Sequence, residues 1–314
     1  MILPRKRITL LLGASLIISA SSMADEGGVS FWLPGQYGSF AASQSEPGWS
    51  MASIYYHNSS DSEKTFTRGL NLTAGLDVSQ DLLLLSPTYV FNDPLWGGQA
   101  SVSLTALYGR VGVNVSAVLS DSQGHTISGS QSDTLTAFGD LYPAASLKWN
   151  EGVHSYMVYT MFGVPVGSYD KNELSNIGSN HWAADFGGGY TYLDMKTGYE
   201  FSLTAGLTYN FENRDTNYQN GIDGHIDWGA SRFLSETLNV GLAGYFFYQL
   251  SGDSGEGAIL GDFKSRVNAV GPQLTYFFPV GKTQGVLSVK SYWEFGAEHR
   301  TEGWNSWVIV SIPL

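Results

Sequence analysis

From Tyr199 to Phe211 the chain alternates without a break. Tyr199, Phe201, Leu203, Ala205, Leu207, Tyr209 and Phe211 form one row, and Glu200, Ser202, Thr204, Gly206, Thr208 and Asn210 the other. Strand side chains point to opposite faces with period two, whereas a helix repeats near 3.6, so this segment is extended, with one oily and one polar face. The aromatic residues hold the two ends of the oily row and the aliphatic ones its middle. At about 3.3 Å per residue and a tilt near 40° the row projects to roughly 30 Å, the height of a lipid-facing band with its aromatic girdles. Soluble strands are usually shorter, about 5 to 6 residues.

The same alternation, less pure, recurs along the chain and predicts strands at 51–57, 81–92, 98–118, 135–149, 153–166, 181–193, 197–211, 222–233, 237–250, 266–279, 284–297 and 304–313. In the third of these the hydropathy changes phase near Gly109 and Arg110, which predicts a bulge there. Connections alternate in length: 58–80, 119–134, 167–180 and 251–265 are long and 212–221 and 298–303 intermediate, while 93–97, 150–152, 194–196, 234–236 and 280–283 are short. An up-and-down barrel with short periplasmic turns and long outer loops has this rhythm, and a Greek-key sandwich has no reason to keep it. An open sheet edge in hydrocarbon leaves backbone groups unpaired at several kcal/mol each, so the sheet must close. The expected fold is all-β: a closed antiparallel transmembrane β-barrel of about twelve strands over residues 51–314.

Composition sharpens this picture. Only 14% of the 314 residues are charged, against about 25% in ordinary soluble domains, while glycine reaches 38 and aromatics 14%. Net charge is −12, which gives no electrostatic footprint for nucleic acid. The absence of cysteine removes disulfides and thiolate metal sites. Residues 1–24 have the three-part layout of a secretory signal peptide: Arg5, Lys6 and Arg7, an apolar run from Ile8 to Ile18, and a small-residue exit at Ser22-Met23-Ala24. That apolar run is shorter than the roughly 17 to 25 residues of a spanning helix. The expected destination is the bacterial outer membrane.

The polar face of the predicted barrel supplies candidate lumen-lining residues: Arg110, Asn114, Glu200, Thr204, Asn210, Asp223, His225, Asp227, Lys290, Tyr292, Glu294 and Glu298. They either filter solutes by hydrogen bonding and charge or pair with one another across a filled interior. Asp223, His225 and Asp227 share one strand face and could hold a cation, but nothing else supports a metal site, and no cofactor is expected. His154 and Ser155 are adjacent in sequence and so on opposite faces, which keeps them from acting together as base and nucleophile. No catalytic residue is expected. Residues 25–50 form a separate Gly- and aromatic-rich segment, and the run Phe31, Trp32, Leu33 is too apolar for aqueous periplasm. It is expected to fold back into the lumen as a plug.

Several short pieces occur in a telling order: Gly35-Gln36-Tyr37-Gly38-Ser39-Phe40, Pro47-Gly48-Trp49 with Tyr55-Tyr56, Gly139-Asp140-Leu141-Tyr142-Pro143, and Val164-Pro165-Val166-Gly167-Ser168-Tyr169-Asp170. Thr191-Tyr192-Leu193, Asp215-Thr216-Asn217-Tyr218-Gln219-Asn220-Gly221, Tyr248-Gln249, Gly252-Asp253-Ser254-Gly255 and Gly271-Pro272 follow. In these the chain resembles a family of outer-membrane transporters named for the meta-pathway of phenol degradation, also called SphA-like, over nearly its whole mature length. The resemblance implies a β-barrel passing small hydrophobic or aromatic compounds. The expected function is therefore passive uptake of such solutes by a monomeric barrel whose partners are outer-membrane lipid, the solute and the barrel assembly machinery. A general or nucleoside-like porin and a structural or adhesive barrel are the alternatives, with a lipase-type enzyme behind them.

Overall fold

The computed structural model describes residues 29–67, 71–120, 125–258 and 264–314. Its strands are β1 (Gly48–Thr67), β2 (Asn71–Val90), β3 (Gln99–Ser120), β4 (Thr126–Glu151), β5 (His154–Gly163), β6 (Ala183–Asp194), β7 (Tyr199–Asn210), β8 (Asp223–Phe233), β9 (Leu238–Gln249), β10 (Arg266–Val280), β11 (Thr283–Glu298) and β12 (Glu302–Pro313). Each pairs antiparallel with its sequence neighbours, and β1 pairs with β12 from Ser50↔Pro313 to Asp61↔Glu302 to close the barrel. These are the twelve strands the alternation predicts. The leader region, residues 1–24, lies outside the described residues.

Two predicted long loops are corrected. Most of 58–80 and of 119–134 is strand, because β1 with β2 and β3 with β4 continue as paired hairpins down to Thr67↔Asn71 and Ser120↔Thr126. Alternation was still present there, but its polarity was reversed. On β3 the outward residues run Val102, Leu104, Ala106, Tyr108 and then Arg110, Gly112, Asn114, Ser116, while the inward ones run Ser101, Ser103, Thr105 and then Leu107, Val111, Val113, Val115. On β2, Leu85 and Leu83 point outward below, Asp81, Ser79 and Asp77 above, and Leu82, Val78 and Leu76 face inward. Strand parity never changes on β3. What changes is the solvent: oil outside the wall gives way to water above the girdle of Tyr55, Tyr108, Phe138 and Trp304.

The bulge expected at Gly109 and Arg110 is thus a hydropathy inversion, and the register shift of this hairpin lies on the opposing strand. There Ala106 pairs Leu141 while Tyr108 pairs Phe138, so Gly139 and Asp140 together face Leu107. The extra residue turns Asp140 inward, where its carboxylate accepts the N–H of Gly167 at 2.8 Å, the N–H of Ser179 at 2.9 Å and the Ser179 hydroxyl at 2.6 Å. That anchors the connection between β5 and β6, residues 164–182, against the inner wall, with Ile177 fully buried over Gly139. This connection is the partner of the apolar inner face above the girdle.

Arginine at Leu104, in the middle of the lipid-facing row, is expected to destabilise the barrel by about 2–4 kcal/mol. Arginine at Ser116, on the same face above the girdle, is expected to change stability by under about 0.5 kcal/mol. Denaturant unfolding in lipid vesicles measures both, and equal costs would contradict the placement of the hydrocarbon edge.

Candidate functional site

Residues 29–47 precede β1, and all but the exposed 44–47 lie inside the barrel. Followed backward from Gly48, the segment enters at the periplasmic mouth, where the Lys148 ammonium donates to the Ser43 carbonyl at 2.8 Å and the Gln99 side chain brackets Ser45. It then climbs the lumen. The Ala42 N–H donates to Thr191 Oγ1 at 3.0 Å, and the Phe40 N–H to Glu200 Oε1 at 2.9 Å. The Phe40 ring meets Phe233 and Phe277 edge-on. Ser39 donates its hydroxyl to Glu200 and is also bound by Gln273. Higher up, Trp32, Phe31 and Val29 are buried in the same cluster as Tyr159, Tyr142 and Ile177.

The turn at Gly35–Tyr37 is held from two sides by opposite charges. One carboxylate, Asp227 on β8, accepts the Gly35 N–H and the Tyr37 N–H, both at 3.0 Å. One ammonium, Lys290 on β11, donates to the carbonyls of Gly35 at 2.6 Å and of Gln36 and Tyr37 at 3.0 Å each. The Tyr292 hydroxyl adds a 3.2 Å bond to the Gly35 carbonyl. Charge-assisted bonds of this kind are the strong ones, and a buried backbone group left unpaired is costly. Gly35 is required for a separate reason: its φ is +84°, and a Cβ there would lie 2.8 Å from Tyr292 and 2.9 Å from Tyr245. On the wall, Gly229 leaves room for the passing backbone, since a Cβ would stand 2.5 Å from Ser39 N.

Glu200 is a second anchor. Besides Ser39 and Phe40 it accepts the Ser202 hydroxyl at 2.5 Å and the Ser231 hydroxyl at 2.6 Å. A carboxylate with this many donors stays satisfied although it is almost fully buried. A third network crosses β9, β11 and β12 without touching the segment's backbone. Tyr245 donates to Glu294 at 2.7 Å and accepts from Asn305 at 2.8 Å, and Asn305 in turn accepts the Trp307 indole N–H at 3.2 Å.

The structure sorts the predicted lumen residues into two groups. Glu200, Thr204, Asn210, Asp223, His225, Asp227, Lys290, Tyr292 and Glu294 point inward. Arg110, Asn114 and Glu298 point outward and are corrected. Arg110 and Asn114 lie above the hydropathy inversion, opposite Asp81 and Asp77, with Asn114 donating to Asp77 at 2.8 Å. Glu298 follows the register shift at Gly296, whose φ is +67°, so its parity reverses and it pairs with Arg266 on the outer surface. The three alternate residues of β8 are each engaged by a different neighbour: Asp223 by Asn210, His225 by Asp185 and Asp227 by the Gly35–Tyr37 turn. Among the described residues no group of three or more acidic or histidine side chains is arranged to hold a metal ion. His154 bonds Tyr190 at 2.8 Å on the outer face, while Ser155 is buried inward beside Asn150.

Sequence reasoning missed Asp185, Tyr159, Tyr245, Gln273 and Trp307, all of which line or fill the lumen. Asp185 had a usable signal, since it is in phase with Gly187, Gly189 and Thr191 on β6. The inward aromatics had only their parity, against which their hydropathy argued. They break the rule that oily residues face lipid, because the segment inside the barrel gives them an oily neighbour.

Comparison with known proteins adds a family and a fold. The family described as "Putative MetA-pathway of phenol degradation" matches residues 43–309. No curated protein matches the chain. Among solved structures, the COG4313 outer membrane channel from Pseudomonas putida F1 superposes with a TM-score of 0.68 at 13% identity, covering 87% of this chain and 97% of that one. The CymD monoaromatic hydrocarbon channel superposes at a TM-score of only 0.33 with 8% identity, over 85% of this chain and 88% of the other, a likeness too slight to bear on this protein.

Proposed function

Because the chain belongs to the family described as "Putative MetA-pathway of phenol degradation", we propose that it is an outer-membrane channel for passive uptake of small hydrophobic or aromatic compounds, with the segment that precedes β1 as its plug. The observation that carries this reading is the lining around Val29, Phe31, Trp32 and Leu33: an apolar and aromatic interior at the height of the membrane, with a few placed polar groups. Ligand sites of this make-up bind weakly polar solutes, whereas sugar and phosphate pores use rings of charge. The single inward ammonium on the Gly35–Tyr37 turn is already spent on three carbonyls. The barrel acts as a monomer, is delivered by the barrel assembly machinery and does no chemistry on its cargo.

Liposomes containing the purified protein test this. Uptake of phenols and other uncharged aromatics is expected to exceed that of nucleosides and sugars of equal size. Preferential passage of nucleosides or sugars would favour a general porin, and passage of nothing, with the plug present or deleted, an adhesive or structural barrel.

A further inference from the structure

The segment inside the barrel is held in two different ways along its length. From Gly35 to Ala42 its backbone is bonded by the side chains of Asp227, Lys290, Gln273, Glu200 and Thr191. At Trp32 the contact is of rings. The indole lies flat on the His225 imidazole with centroids 3.4 Å apart and planes 19° from parallel, and Tyr159 and Tyr37 flank it at 6.2 Å and 6.0 Å. Tyr37 and Tyr159 also touch each other, at 5.7 Å, so the three rings form a box around the indole.

The base of this box is polar and incompletely satisfied. His225 Nε2 lies 2.8 Å from Asp185 Oδ2, which also accepts the Thr208 hydroxyl at 2.6 Å. The remaining atoms of the pair, His225 Nδ1 and Asp185 Oδ1, are buried without a hydrogen-bond partner, as are the Tyr159 hydroxyl and the indole Nε1 of Trp32 itself. Asp185 is wholly buried, and Trp32 and His225 nearly so. An unpaired buried donor or acceptor disfavours the arrangement that buries it. Trp32 therefore fits the box in shape and leaves its hydrogen-bonding groups unused. The carboxylate oxygen Asp185 Oδ1 is an acceptor with no donor on it. An acceptor beside an aromatic slot suits a flat ring that carries a donor.

We propose that Trp32 is a built-in surrogate ligand: the Tyr37–Tyr159–His225 box above Asp185 is a binding site for a flat aromatic molecule bearing a hydroxyl group, held in the resting chain by Trp32 and vacated when such a solute displaces it. The proposal rests on the channel reading above and gives that channel a specific subsite. The solute ring replaces the indole on His225, and its hydroxyl donates to Asp185 Oδ1, a bond the indole does not make. Displacement needs only the residues up to Pro34 to shift, because the clamp of Asp227 and Lys290 begins at Gly35. A site occupied by its own chain binds a solute with an affinity reduced by the fraction of time it is vacant.

Calorimetric titration of the full chain in detergent micelles tests this with two probes, 2-naphthol and naphthalene, after subtraction of their partition into empty micelles. Trp32→Ala is expected to tighten 2-naphthol binding by about tenfold or more, since the internal competitor is gone. Trp32→Phe should fall between it and the parent chain. In the Trp32→Ala background, Asp185→Asn is expected to erase most of the preference for 2-naphthol over naphthalene. Unchanged or weaker 2-naphthol binding in both Trp32 variants, with the barrel folded by its heat-modifiable electrophoretic mobility, would overturn the surrogate role. So would an equal preference with Asp185 and with Asn at that position. If liposomes still take up aromatics in those cases, the channel reading stands without this subsite, whereas failure of both binding and uptake removes the two together.

Discussion

Deleting residues 27–45 should turn a nearly closed pore into an open one, raising single-channel conductance in planar bilayers on the order of threefold or more for a barrel between the filled eight-stranded and the open sixteen-stranded size. The expectation follows from where the segment runs. From Ala42 to Val29 it passes through the middle of the lumen and buries Trp32, Phe31 and Val29 almost completely. The wall itself does not depend on it, because closure is by the ladder from Ser50↔Pro313 to Asp61↔Glu302, which begins after the deletion ends. The truncated protein should therefore still insert and migrate as a folded barrel. Its thermal midpoint should fall, since burying a large apolar side chain contributes roughly 1.5–3 kcal/mol. Conductance equal to that of the full chain would mean that residues 27–45 do not obstruct the pore, and the plug would be rejected.

The second large effect is expected at Lys290. Replacing it with Met keeps most of the volume and removes the three bonds to Gly35, Gln36 and Tyr37. Hydrogen bonds to charged groups are worth about 1.5–3 kcal/mol each, and the carbonyls left behind have only Tyr292 nearby, so the turn should lose several kcal/mol of anchoring. Asp227 then stays buried without its opposite charge, which loosens the same turn further. The readout is local. A cysteine placed at Gln36 should become accessible to a thiol reagent in the Met variant and stay protected in the parent, while the sheet spectrum is unchanged. Conductance should move toward that of the deletion. The double change of Lys290→Met with Asp227→Asn should cost less than the two single costs combined, because each single change strands the other charge. A protected Gln36 position in the Met variant would show that other contacts, chiefly Glu200 and Gln273, hold the segment alone.

Reading the chain as a barrel worked because oil outside and polar groups inside impose a two-residue rhythm that the sequence must write down. β7 carries that rhythm from Tyr199 to Asn210 with no exception, and the inward direction of Glu200, Thr204 and Asn210 follows from parity alone. The same rule misassigned Arg110 and Asn114, because above the girdle water lies outside and the β5–β6 connection fills the inside. The alternation was intact there, and only the identity of the two solvents had changed. At Glu298 the error was different in kind: one extra residue at Gly296 reversed every later side chain of β11, and no local feature of composition announces such a slip.

The apolar run at Phe31, Trp32 and Leu33 announced that it needed cover, but not what would cover it. Pairing Asp227 and Lys290 with one turn joins residues 190 to 255 positions apart in the chain. The sequence by itself determined the strand count, the lipid-facing rows and the existence of a buried aromatic segment before β1, since each follows from what a residue's immediate neighbours must exclude or admit. Only the tertiary structure decided which groups meet inside: closing the barrel brings β8 and β11 around one backbone turn, and contacts across a lumen obey geometry that no local periodicity encodes.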